Sequence, residues 1–162
     1  MNNYVEKYRK IVNRLINNSF PNLKNKEIIV TEFPNISKKY SAGAGEFLIF
    51  KWIIVLRKCR KYSNKALIGL LAHELSHCYI TERMGLLEKF IYFIRWVFSK
   101  RMRAKAETQT DLITIKKGYG EELILLRKGI SIGKTKEQLE ERAKRGYLSL
   151  GEIKTYMKKL GK

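Results

Sequence analysis

Apolar residues recur every three or four positions at the start of the chain and form short runs after it. Over residues 2–19 this spacing predicts an amphipathic helix that ends near SFPN (19–22). Three short apolar runs predict strands: EIIVTEF (27–33), EFLIF (46–50) and WIIVL (52–56). Pro34 stops the first strand, and SAGAG (41–45) is typical of a flexible turn. A hairpin turning at Lys51 is one way to join the last two strands.

The rest of the chain has mainly helical patterns. NKALIGLLAHELSHCYI (64–80) is apolar on nearly every side, which predicts a helix through the core, with Ser63 as its N-cap. Four further helices are predicted at 86–99, 100–117, 135–145 and 149–160. The last two open with the capping boxes Thr135–Gln138 and Ser149–Glu152.

These elements predict an α+β fold with a small sheet and a long core helix. Residues 1–118 form the main domain, and residues 119–162 are a C-terminal helical extension packed on it. The length of 162 residues suits one domain, and the hydrophobic share of 44% excludes a disordered chain.

LLEKFIYFIRWVFS (86–99) is strongly apolar for a helix of its length. It is too short to span a bilayer, and Glu88, Lys89 and Arg95 interrupt it. Its apolar face, with Arg95 and Trp96, can lie on a membrane surface. Packing against the core is the favoured alternative.

The net charge of +19 comes from 34 Lys and Arg against 15 Asp and Glu. Such a charge attracts polyanions without regard to their sequence. However, the basic residues are spread from Lys7 to Lys162 and form no known binding motif, so a basic surface that only keeps the protein in solution is the open alternative.

Cysteine and leader patterns indicate a cytoplasmic protein. Cys59 and Cys78 cannot form a disulfide scaffold, lie in no paired metal-ligand motif, and are predicted to be small buried thiols. Charged residues throughout the first twenty positions leave no signal-peptide core, and no transmembrane segment is predicted.

The two histidines of the chain, His73 and His77, both lie in HELSH. On a helix they are one turn apart on the same face and can take adjacent corners of a zinc tetrahedron. Leu71 and Leu75 point to the opposite side, so the histidines are expected to face a cleft. Glu74 lies next to both, where it can take a proton from a water that zinc has acidified and pass it to a leaving amine. This is the arrangement of a metallohydrolase.

A third ligand must be a carboxylate or a thiolate, because no third histidine exists. Glu82 is too close to His77, and Glu88 lies in a packed apolar helix. Glu107 follows His77 by 30 residues, on its own helix, and is the predicted ligand. Asp111, the only aspartate, lies one turn further and is placed to accept the other N–H of a ligating imidazole.

His73-Glu74-x-x-His77 followed by Glu107-x-x-x-Asp111 resembles the gluzincin zinc metallopeptidases, and over residues 28–118 the archaeal minigluzincins in particular. The resemblance implies a zincin-like fold, in which a small twisted sheet packs on an active-site helix and a glutamate helix. It also implies that an exposed sheet rim, drawn here from residues 45–56, pairs with an extended peptide substrate.

Larger gluzincins stabilise the oxyanion with a downstream His, Tyr or Arg. By that resemblance Tyr119 is the candidate here, beside the alternative of a packed or exposed tyrosine.

Two classes of function follow, and a mixed form, in which the basic surface recruits a peptidase to chromatin or membrane, stays open. The first is a zinc-dependent endopeptidase acting on a peptide or protein, with Glu74 as general base and acid, latent through its own tail or through self-association. The alternative is a basic module that binds nucleic acid or membrane and has a structural or degenerate zinc site. Glu74 favours the enzyme, because a structural zinc site does not need it. The tail itself either completes the core or lies in the cleft as a pseudo-substrate.

Overall fold

The computed structural model describes residues 3–33, 42–47, 51–57 and 62–161. The strands within these residues are β1 (Glu27–Phe33), β2 (Ala42–Phe47) and β3 (Lys51–Arg57). The helices are α1 (Asn3–Ser19), α2 (Asn64–Glu82), α3 (Leu86–Phe98), α4 (Lys100–Lys116), α5 (Gly120–Ser131), α6 (Lys136–Lys144) and α7 (Leu150–Lys159). The predicted α+β class is therefore confirmed. Pro34 and Cys59, both considered above, lie outside the described residues.

The sheet has the strand order β1–β3–β2, with β1 parallel and β2 antiparallel to β3. In β3, Trp52, Ile54 and Leu56 are buried and alternate with the part-buried Ile53 and Val55. This two-residue period places one face of the central strand on the core.

The predicted turn at 41–45 is wrong, because β2 begins at Ala42 and pairs with β3 along its whole length. Ala42 and Ala44 pack against the core beside α2. An Ala–Gly run looks like a turn by composition, but here its small side chains let the strand lie close to a helix. The hairpin also does not turn at Lys51, which is the first residue of β3 and pairs with Phe47. Residues 48–50, the rest of the predicted strand 46–50, lie outside the described part.

The substrate rim expected at 45–56 needs the same correction. Half of that segment, residues 51–56, is β3, which is paired on both sides and offers no free edge. Only residues 45–47, in β2, lie on an edge of the described sheet.

The predictions of α1, α2, α4, α6 and α7 are confirmed, with ends displaced by a few residues at most. Ser63 caps α2 as expected. In α7 both bonds of the capping box form: the Ser149 amide donates to Glu152 at 2.8 Å, and the Glu152 amide donates to Ser149 Oγ at 3.3 Å. In α6, Thr135 Oγ1 accepts a bond from the Gln138 amide at 3.4 Å.

Helix α5 was not predicted from the sequence. Its apolar residues at 123–126 run consecutively, which hides the helical spacing of Leu123, Leu126 and Ile130. Leu123, Leu126 and Ile130 are nevertheless buried in the main core, where α5 packs along α2. The two backbones are in near contact, since a Cβ added at Gly69 would lie 2.4 Å from the carbonyl oxygen of Glu122.

Helix α3 does not pack into the core, so the favoured interpretation of residues 86–99 is wrong. None of its residues is buried, and its main neighbour is α4. Across the described ranges we find no helix with both the length and the apolar character needed to cross a bilayer.

Candidate metal centre

The core helix α2 carries both histidines and positions them against α4. Leu71 and Leu75, on the opposite side of α2, are fully buried, as the helical pattern predicts. The histidines do not both face outward: His73 is buried against α4, while His77 is partly exposed. Cys78, the next residue, is buried, as predicted.

A row of polar contacts sets the rotation of α2 against α4. His73 Nδ1 lies 2.8 Å from Asp111 Oδ1, and His77 Nδ1 lies 3.1 Å from Thr110 Oγ1. The hydroxyls of Ser76 and Thr114 lie 3.0 Å apart, one turn further along the same seam. Because these contacts are buried or part-buried, a rotation of either helix would leave several polar groups without partners. The threonines of α4 were missed by the sequence reasoning.

These contacts define the tautomers of both imidazoles. Asp111 is ionised and can only accept, so Nδ1 of His73 donates to it. Thr110 donates its hydroxyl to the carbonyl of Ala106 at 2.8 Å, so its oxygen accepts from Nδ1 of His77. In both rings, Nε2 is the nitrogen left to bind a further partner.

The two Nε2 atoms meet at Glu107, which α4 carries one turn before Asp111. Glu107 Oε2 lies 3.2 Å from Nε2 of His73 and 3.6 Å from Nε2 of His77. The ligand atoms of the three residues all lie within 4.8 Å of one another. This group can therefore hold a metal ion.

The two separations that involve Glu107 are compatible with a tetrahedral metal ion such as zinc. With bonds of about 2.1 Å, the ligand atoms of a tetrahedral zinc site lie about 3.4 Å apart. The observed separations of 3.2 and 3.6 Å bracket that distance, and two imidazoles with one carboxylate form a donor set that zinc commonly takes.

The electrostatics of the site favour a positive charge between α2 and α4. Burial by itself lowers the pKa of His73, but hydrogen bonds to Asp111 and Glu107, together with their charges, raise it to about 10. Burial would raise the pKa of Glu107, yet the two histidines hold it well below its usual range. Two carboxylates that stay ionised beside two imidazoles stabilise a cation, whether a proton or a metal ion.

Glu74 is almost fully buried next to the two histidines. Burial raises the pKa of its carboxyl above the usual range, although the charges of His73 and His77 oppose this. A carboxylate with a raised pKa accepts a proton more readily than an ordinary one.

Asp111 is held by more partners than the sequence indicated. Arg127 Nη2 lies 2.6 and 2.7 Å from its two oxygens, and the amide of Leu148 donates to it at 2.9 Å. Burial would raise the pKa of Asp111, but the charge of Arg127 and the bond from His73 lower it to about 2. Arg127 lies on α5, the helix that the sequence did not predict, so no signal pointed to it.

Two residues of the tail also reach the site. The ring centre of Tyr147 lies 6.1 Å from that of His73. The guanidinium carbons of Arg142 and Arg127 lie 4.2 and 4.9 Å from the Tyr147 ring centre. Burial and the charge of Glu107 raise the pKa of Tyr147, so its hydroxyl keeps its proton at neutral pH. Tyr147 lies between α6 and α7, and Arg142 lies on α6. Neither belongs to a motif, which is why the sequence reasoning missed them.

Tyr119, the oxyanion candidate from the resemblance, lies in a different contact. Its hydroxyl is 2.7 Å from the hydroxyl of Ser19 on α1, and its ring stacks on Phe20 with centres 6.5 Å apart. The structure therefore brings together His73, Glu74, His77, Glu107 and Asp111, but it pairs the Tyr119 hydroxyl with α1.

Comparison with protein-family models, with curated proteins and with solved structures gives no match for this chain. The resemblance to gluzincins therefore rests on the sequence alone.

Proposed function

We propose that the protein is a zinc-dependent endopeptidase in which His73, His77 and Glu107 hold the metal. The observation that carries the proposal is the convergence of two imidazole Nε2 atoms and one carboxylate oxygen within 4.8 Å. A buried Glu74 lies between the two histidines in the sequence and beside them in space. Zinc, when bound there, supplies a Lewis acid that acidifies water and polarises a peptide carbonyl.

Glu74 is proposed to move the proton. Its carboxylate takes a proton from the attacking water and delivers it to the nitrogen of the departing amine. The raised pKa of Glu74 suits this role, because the group must both bind and release a proton near neutral pH. Asp111 holds His73 through Nδ1, so that Nε2 keeps its direction.

Tyr147 replaces Tyr119 as our candidate for the oxyanion. Its protonated hydroxyl can donate a hydrogen bond to a carbonyl oxygen that gains negative charge. The guanidinium of Arg142 over its ring adds positive charge on the same side of the site. Both residues belong to the tail, so latency, in which the tail covers the site, remains part of the proposal.

An extended peptide is the proposed substrate form. β2 is an edge of the described sheet and lies beside α2. A peptide paired with β2 through its backbone would therefore run next to the histidine helix.

The test combines zinc analysis with cleavage of an unstructured protein. We expect one zinc per chain in the native protein and none in His77→Ala, since two protein ligands hold zinc poorly. Glu74→Gln should keep its zinc and lose activity by about 10²–10⁴-fold, the usual contribution of acid–base catalysis. Glu140→Gln, an exposed site on α6, is the matched control and should match the native protein.

Zinc that survives in both His77→Ala and Glu107→Ala would refute the ligand assignment. Zinc retained with no peptidase activity in any variant would favour the alternative, a binding module with a structural zinc site.

A further inference from the structure

Helix α3 presents its apolar side to solvent. Its large apolar residues are exposed along the whole helix, including Leu87 at 72%, Phe90 at 63% and Phe98 at 81%. A helix of a soluble domain normally turns such residues towards its core.

The side of α3 that meets the protein is the less apolar one. Lys89 lies over the ring of Trp52 in β3 at 6.0 Å, and Arg103 of α4 lies over the ring of Trp96 at 5.9 Å. Tyr92, on the same side, is partly buried near Glu107. The helix is therefore attached to the protein through Lys89, Tyr92 and Trp96, and most of its apolar side is left exposed.

At about 100° per residue, the outward side forms one continuous apolar arc of about 160°. Its members are Leu86, Leu87, Phe90, Ile91, Phe93, Ile94, Val97 and Phe98. Lys89 borders the arc on one edge and Arg95 on the other. Lys100 and Arg101 follow directly after the helix and are exposed.

We propose that α3 docks the protein on an anionic lipid bilayer, lying in the plane of the interface with the apolar arc inserted. Bordering cations on an apolar helical face are the pattern of interfacial helices. Acidic headgroups attract the exposed basic residues near α3 and the net charge of +19. Apolar acyl chains cover side chains that a nucleic acid would leave exposed.

A second copy of the chain is a poorer occupant of this face. Two molecules joined through α3 would bring together the same basic residues, each on a protein of charge +19. A lipid surface instead supplies the opposite charge and the apolar cover at once.

Docking through α3 would also place the candidate metal centre close to the membrane. Helix α2 ends at Glu82, and α3 begins at Leu86. The proposal depends on neither zinc nor peptidase activity, so it can fail or succeed independently of both.

Flotation with vesicles tests the proposal. We expect the native protein to float with vesicles of phosphatidylcholine and phosphatidylglycerol, and much less with phosphatidylcholine alone. Leu87→Gln combined with Phe90→Gln and Phe98→Gln should lower the partition by about tenfold or more, because the inserted apolar area is lost. The matched control is Ile132→Gln, which changes an apolar residue that is 83% exposed on another part of the surface. It should float like the native protein.

Circular dichroism and the melting temperature show whether each variant folds. If the triple variant does not fold, Phe98→Gln alone is tested in its place. Flotation that is equal in the native protein and in the α3 variant would overturn the proposal, since charge alone would then explain adsorption. A native protein that stays unbound, or one that sediments as an α3-dependent dimer without floating, would overturn it as well.

Discussion

Asp111 and Arg127 form a buried ion pair directly behind His73. Arg127 Nη2 contacts both carboxylate oxygens, at 2.6 and 2.7 Å, while His73 donates to one of them. One carboxylate thus joins α2, α4 and α5, the three helices that surround the candidate metal centre.

Asp111→Asn is expected to weaken zinc affinity or turnover by about 10–100-fold, because the imidazole of His73 loses the carboxylate that orients it. The structure adds a cost in stability. The substitution leaves the charge of Arg127 buried without its partner, which typically costs about 3–5 kcal/mol. Urea unfolding in the presence of a chelator measures stability apart from zinc binding.

A double-mutant cycle checks this interpretation. Arg127→Gln should also destabilise the protein, and the two substitutions together should cost less than the sum of the separate effects. Additive effects on stability would mean that Asp111 and Arg127 do not stabilise each other. A zinc titration that is unchanged in Asp111→Asn would remove Asp111 from the site and leave it as an ordinary buried residue.

Gly69→Ala is expected to lower the free energy of unfolding by about 1–3 kcal/mol. The added Cβ would meet the backbone of Glu122 at 2.4 Å, and a backbone carbonyl cannot move aside as a side chain can. The helices α2 and α5 would have to separate, and Arg127 would move with α5.

Gly129→Ala is the matched control for that change. It lies on α5, the other helix of the pair, but a Cβ there meets nothing within 4 Å. Because alanine favours helix more than glycine, this variant should be as stable as the native protein or more stable by up to about 1 kcal/mol. Equal melting temperatures for the two variants would show that α2 and α5 are not in close contact.

The sequence predicted those site residues whose relative positions are set by the spacing within one helix. The four-residue spacing in His73–His77 and in Glu107–Asp111 fixes which side chains share a face, whatever the tertiary structure. Arg127 and Tyr147 reach the site only through the packing of α5 and the tail, and no local pattern encodes that packing. The segment that forms β2 was predicted as a turn because its Ala and Gly residues are typical of turns. Only the tertiary structure shows that they pack beside α2.

The same limit explains why core packing was wrongly predicted for α3. Its apolar period predicted an amphipathic helix correctly, but periodicity does not tell which partner covers the apolar side. Core packing was the ordinary assumption, and the structure places the cationic and aromatic edge against the protein instead.

The basic surface is expected to bind polyanions in a salt-dependent way that ignores sequence. For a DNA duplex, the logarithm of the affinity should fall linearly with the logarithm of salt, by about 0.9 for each phosphate neutralised. Fluorescence anisotropy with two unrelated duplexes measures both features. A nanomolar affinity that is independent of salt would indicate specific recognition and favour the binding-module function.

Truncation after Tyr119 is expected to give an insoluble or strongly destabilised protein. The deletion removes α5, whose Leu123 and Leu126 are buried in the main core, and α7, whose Ile153 is buried there too. It also removes Arg127 and leaves Asp111 unpaired. Solubility and circular dichroism of the shortened chain are the measurements. A folded, cooperative fragment would mean that the tail is not needed to complete the core.

Because truncation would destroy the core, point substitutions at Tyr147 are the sharper way to separate catalysis from latency. Tyr147→Phe keeps the ring beside His73 and removes only the hydroxyl. If the hydroxyl stabilises the oxyanion, we expect kcat to fall by about 10²–10³-fold with zinc content and KM unchanged. If the ring only covers the site, Tyr147→Phe should match the native protein, and Tyr147→Ala should cleave an unstructured substrate faster because it opens the cleft.

Phe20→Leu is the control near Tyr119, since the ring of Phe20 stacks on that of Tyr119. It should leave kcat unchanged, because the Tyr119 hydroxyl is paired with Ser19 and not with the metal centre. A large loss of kcat in Tyr119→Phe, with none in Tyr147→Phe, would return the oxyanion role to Tyr119.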